Sequence, residues 1–147
     1  MNDHLYFAYG SNLDPSQMRR RCPGSVLDCR ATLAGYALAF GGYSATWDGP
    51  VATLVRAAKS KVEGLLYRIT EEDLAALDRF EGHPRVYVRQ ELELRDEHGA
   101  ARRALVYVKP EGSYELGDPP DDYYEVIRSA YAERGFDLGA LDRAAGR

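Results

Sequence analysis

Cysteine is nearly absent from this sequence: Cys22 and Cys29 are the only two, seven residues apart, without the paired spacing of a metal knuckle or a redox pair. They are expected to be reduced thiols, which points to a cytoplasmic protein. Long apolar runs are also missing, so no membrane span is expected, and a strand begins too close to Met1 for a secretory leader to precede it. A basic surplus is lacking as well. The formal charge of −4 gives no long-range attraction to nucleic acid or anionic membrane. The one basic cluster, Arg19, Arg20 and Arg21, points three ways around a helix and reads as a solvated face. Glycine-rich phosphate loops, the Gly-x-Ser-x-Gly elbow and paired metal-ligand histidines do not occur, which argues against nucleotide chemistry, a serine triad and a metal site.

What remains is globular: 45% hydrophobic and 29% charged residues over 147 positions, enough for one core and one domain spanning 1–147. His4 to Tyr9 reads as a strand that stops in the turn Gly10-Ser11-Asn12. Asp14 and Pro15 then start a short helix to about Arg21, closed by Pro23-Gly24. Val26 to Phe40, Val51 to Ala57 and Val62 to Ile69 look extended, with a loop from Gly41 to Pro50 that carries Trp47. Thr70 with Asp73 forms a capping box for a helix from Glu71 to about Glu81, stopped by Gly82. Val86 to Arg95 and Ala101 to Val108 flank a polar loop as a hairpin. Lys109 to Asp122 is a loop, Asp121 or Asp122 caps a helix to about Arg134, and a shorter helical tail follows near Leu138 to Ala145. Six or seven strands set too close for crossover helices predict an α+β fold, built on a small, mainly antiparallel barrel or curled sheet.

Chemistry has few candidates. Leu74, Leu77 and Glu81 share one helical face, so Glu81 puts a carboxylate on an apolar stripe. The helix C-terminus and partial burial both disfavour its charge and should raise its pKa, which suits a base. The ordinary alternative is a frayed helix end with Glu81 in water. The turn Gly10-Ser11-Asn12 can aim successive N–H groups into one concavity, as an anion or oxyanion requires, although most such turns only connect elements. His4, His83 and His98 read as surface or hydrogen-bonded residues.

The segment Tyr6-Phe7-Ala8-Tyr9-Gly10-Ser11-Asn12-Leu13, followed in mid-chain by Leu77-Asp78-Arg79-Phe80-Glu81-Gly82, resembles the γ-glutamylcyclotransferase family. Ala52-Thr53-Leu54, Glu63-Gly64, the Tyr107 strand and Pro120-Asp121-Asp122-Tyr123 extend the resemblance in the same order over about residues 4 to 140. It implies a mixed β-barrel flanked by short helices and a cofactor-independent, metal-free reaction that releases 5-oxoproline from a γ-glutamyl compound. Glu81 would be the general acid/base. Tyr6, Phe7, Ala8, Tyr9, Gly10, Ser11 and Asn12 would form the substrate loop, and Tyr107 and Tyr123 would line the cavity, although for any one tyrosine considered alone a core residue with a satisfied hydroxyl is the better reading. Phe80 and His83-Pro84 make the segment around Glu81 bulky, which bears on substrate selection. Relatives acting on γ-glutamyl-amines or on γ-glutamyl-protected biosynthetic intermediates leave the leaving group open, and the resemblance leaves room for a homodimer. Two other readings stand beside it: a noncatalytic small-molecule binding module using the same turn, and an interaction protein with an exposed patch around Trp47.

Overall fold

The computed structural model describes residues 3–147. A short strand β1 (His4–Ala8) runs into a single 3-10 turn (Ser11–Leu13) and helix α1 (Pro15–Arg21). Two long strands follow, β2 (Val26–Ser44) and β3 (Gly49–Ile69), then helix α2 (Glu71–Glu81), the hairpin β4 (Val88–Asp96) and β5 (Ala101–Val108), and helices α3 (Asp121–Arg134) and α4 (Leu138–Ala144). The strands close into a barrel in the order β1-β3-β2-β4-β5. All ladders are antiparallel except β1 with β5, where Tyr6 pairs with Leu105, so the sheet is mixed.

Among the described residues five strands replace the six or seven expected, because the segments Val51–Ala57 and Val62–Ile69 are one strand. The β2–β3 ladder absorbs the interruption as a register shift between Ala34 and Tyr36, with Gly35 at φ +85°. Such a bulge bends a strand without ending it, whereas sequence alternation across it looks broken. The expected loop from Gly41 to Pro50 shrinks for the same reason. Pairing continues to Ser44 and Gly49, leaving a tight turn in which Asp48 takes φ 59°.

Local chemistry accounts for the helix starts. Asp14 accepts the Gln17 N–H at 3.2 Å, and Thr70 and Asp73 cap each other's backbone at 3.0 and 3.1 Å. Gly82 at φ 64° closes α2 in the left-handed form that glycine adopts without strain. At α3 the expected aspartate cap is absent: Pro120 takes the N-cap position with no side-chain bond, and Asp122 accepts only the adjacent Tyr123 N–H.

In the core, Phe7, Leu65, Leu66, Ile69 and Val106 are fully buried, each contributing about 1.5–3 kcal/mol through removal from water. Gly64 lets β1 approach β3: a Cβ there would lie 2.4 Å from the Ala8 carbonyl oxygen and 2.6 Å from the Phe7 ring. Both cysteines are free and buried, and burial pushes the Cys22 thiol up to about 12 and that of Cys29 to about 11. Neither has the thiolate character of a nucleophile.

Candidate active site

At the end of β1 the chain leaves the barrel through Tyr9 and enters the 3-10 turn. The first N–H groups of such a turn have no acceptor inside it, so Gly10-Ser11-Asn12 presents donors outward. Side chains hold this turn in place. Gln17 donates to Ser11 Oγ at 2.7 Å and to Asn12 Oδ1 at 2.9 Å, and Asn12 donates to the Tyr6 hydroxyl at 3.0 Å. Tyr9 is fixed by donating to the Tyr107 carbonyl at 2.6 Å.

The turn opens on a cavity of about 260 Å³, large enough for a small molecule. Its opposite members come from every part of the chain: Glu81 from α2, Tyr107 and Lys109 from the end of β5, Tyr123 from α3 and Trp47 from the β2–β3 turn. Two tyrosines clamp one residue of the wall by the peptide groups on either side of it. The Ala52 N–H donates to the Tyr123 hydroxyl at 2.8 Å, and the Tyr87 hydroxyl donates to the Ala52 carbonyl at 2.5 Å. Tyr107 directs its hydroxyl to Asp78 at 2.6 Å, and Arg89 binds the other oxygen of the same carboxylate. Burial holds the hydroxyls of Tyr6, Tyr9, Tyr87 and Tyr123 protonated, well above their ordinary range.

Glu81 is the one acid lining the cavity. Leu74 and Leu77 on the same helical face are buried in the core, which fixes the direction in which Glu81 projects. Its carboxylate makes no hydrogen bond or direct ion pair among the described residues. Burial raises its pKa to about 7, against the opposing pull of Arg21 and Lys109. A carboxyl group in that range exchanges a proton readily in either direction at neutral pH.

The structure brings Tyr6, Tyr9, Gly10, Ser11, Asn12, Glu81, Tyr107 and Tyr123 to one cavity. It does not bring Phe7 or Ala8 there. Both are 0% exposed: alternation along β1 turns Phe7 to the face opposite Tyr6, and the Ala8 methyl is sealed in the core. Among the lining residues not singled out from sequence for this site, three bear on its charge and shape. Arg21 leaves the solvated face that Arg19 and Arg20 keep, donates to Asn12 Oδ1 at 3.3 Å and lies 4.7 Å over the Phe80 ring. Its place six residues after Pro15 on a short helix gave no signal. Trp47 is half-buried and lines the cavity, its ring 5.0 Å from that of Tyr123. Lys109, at the end of β5, is the third. His83 stays outside, accepting the Arg89 N–H at 3.1 Å, and among the described residues no group of three His, Cys, Asp or Glu could hold a metal ion.

The site is thus a cavity in which one carboxyl group, its pKa raised toward neutrality, faces a turn held by side-chain hydrogen bonds. The model of the family described as Gamma-glutamyl cyclotransferase, AIG2-like, matches residues 6–127, and the chain belongs to that family. It is 32% identical over 136 residues to a gamma-glutamylcyclotransferase of Mus musculus, covering 89% of this chain and 71% of the relative. The Homo sapiens gamma-glutamylcyclotransferase is 31% identical over 139 residues, covering 91% and 73%. A solved gamma-glutamyl cyclotransferase superposes with a TM-score of 0.87 at 29% identity, over 96% of this chain and 85% of that one.

Proposed function

We propose that the protein cyclises the γ-glutamyl group of a small substrate, releasing 5-oxoproline and a free amino acid or amine, with Glu81 as general acid/base. The observation that carries this reading is Glu81 itself, an unpaired carboxylate in the cavity with its pKa raised to about 7. The family to which the chain belongs supports the reaction class.

The chemistry asks little of the protein. The substrate's α-amine attacks its own γ-carbonyl, closing a five-membered ring, so nucleophile and electrophile arrive together. Orientation of such a pair is worth effective molarities on the order of 10⁵ M or more. The glutamyl α-carboxylate and the developing oxyanion are assigned to the N–H groups of Gly10-Ser11-Asn12 and to Arg21 beside them. Glu81 takes the proton that the attacking nitrogen sheds and returns it to the departing nitrogen as the amide C–N bond breaks. Proton and electron pair are thereby balanced without a covalent enzyme intermediate. Tyr107 and Tyr123 shape the wall, with their hydroxyls already committed to Asp78 and Ala52.

The test is release of 5-oxoproline from a panel of γ-glutamyl-amino acids, γ-glutamyl-amines and glutathione, by the wild type and by Glu81→Gln. Release by the wild type with at least a 100-fold loss in a folded Glu81→Gln variant is expected. Saturable binding without release would instead support a noncatalytic module.

A further inference from the structure

The cavity holds more positive charge than Glu81 can balance. Arg21, Arg79 and Lys109 line it against that single acid. Arg79 is exposed, and Arg21 is occupied by Asn12 and the Phe80 ring. Lys109 is different. It is only 4% exposed, and its ammonium makes no hydrogen bond or ion pair among the described residues. Its Nζ lies over the face of the Tyr87 ring, 5.1 Å from the ring centre. Burial lowers its pKa, and Glu81 opposes that shift. A lysine almost never sits this deep without an anion to meet it.

Its position is also built. The Lys109 N–H donates to Thr53 Oγ1 at 2.9 Å, which anchors the residue where β5 ends. The ammonium then occupies space that a side chain at residue 42 would need, because a Cβ on Gly42 would lie 2.3 Å from Nζ. Gly42 has φ +71°, so both its backbone and its missing side chain make room for the charge.

We propose that Lys109 is a specificity residue that receives the carboxylate of the leaving amino acid. The inference rests on the cyclisation proposed above and names the half of the substrate which that reading leaves open. Arg21, bonded to Asn12, serves the turn side of the cavity, and Lys109 stands apart from it against Gly42 and Tyr87. Glu81 feels both cations, as a group must that shuttles a proton between the glutamyl amine and the departing nitrogen. A γ-glutamyl-amino acid carries a second carboxylate next to that nitrogen, and a γ-glutamyl-amine carries none.

γ-Glutamyl-alanine and γ-glutamyl-ethylamine differ by that carboxylate alone. The wild type is expected to favour the first in kcat/KM by about 10- to 100-fold, the usual worth of a hydrogen bond to a charged group. Lys109→Met is expected to bring the ratio close to one, chiefly by raising KM for γ-glutamyl-alanine, and Lys109→Gln to do the same if the methionine variant does not fold. Equal turnover of both compounds by the wild type, or an equal loss on both in the variants, overturns the role of Lys109 and leaves cyclisation standing. Release from neither compound overturns the cyclisation reading as well.

Discussion

At Glu81 two effects compete for one proton. Burial favours the neutral acid, Arg21 and Lys109 favour the carboxylate, and burial wins, leaving the pKa at about 7. The unfolded chain would titrate this group near 4.5. Between those two values the folded state binds the extra proton, so the protein loses stability as pH rises from about 4.5 to 7, by about 3 kcal/mol. Below that window both states are protonated, and above it the loss is complete. Glu81→Gln removes the titration, so the variant should gain stability over the wild type at pH 8 and little at pH 4. Denaturant midpoints at the two pH values measure this, and an equal difference at both would contradict it. Under the proposed role of Glu81 as the base, kcat/KM should rise through an apparent pKa of about 7 as the group ionises, the opposite direction to stability.

Elements meet at Ala52 of β3. Its N–H and carbonyl are held by Tyr123 of α3 and by Tyr87, which lies between α2 and β4, so one residue ties three parts of the chain together at the cavity wall. Tyr87→Phe leaves the buried carbonyl without this donor and should cost about 1–3 kcal/mol in chemical unfolding with little change in kcat. At the crossing of β1 and β3, Gly64→Ala drives a methyl into the Ala8 carbonyl and the Phe7 ring, and a loss of about 1–3 kcal/mol or more in the same assay is expected. Elements written by local chemistry were legible in the sequence. Thr70 with Asp73, Asp14 with Pro15, and Gly82 bounded their helices correctly because caps act within a few residues. The lengths of β2 and β3 were not legible, because their continuity depends on cross-strand bonds that persist through the bulge at Gly35 and through the segment from Gly41 to Ser44, where single-strand alternation fails.

At the scale of the whole molecule, closing the barrel is what makes a site from residues as far apart as Tyr9 and Tyr123. The tyrosine-rich start and the helix-borne Glu81 could be read as a pair through the family pattern and the helical period. Arg21 and Lys109 could not, because nothing near either in sequence marks it as facing a cavity. Their positions follow from how α1 and the end of β5 dock against α2. Phe7 and Ala8 show the converse, being inside the motif yet committed to the core. The family model spans residues 6–127, a stretch that holds all the cavity-lining residues from Tyr6 to Tyr123. The central claim is that this cavity cyclises a γ-glutamyl group through Glu81. It is tested most directly by 5-oxoproline release from γ-glutamyl-alanine by wild type and Glu81→Gln side by side. Release by the wild type with at least a 100-fold loss in the folded variant is the expected result, and near-equal release by both would contradict it.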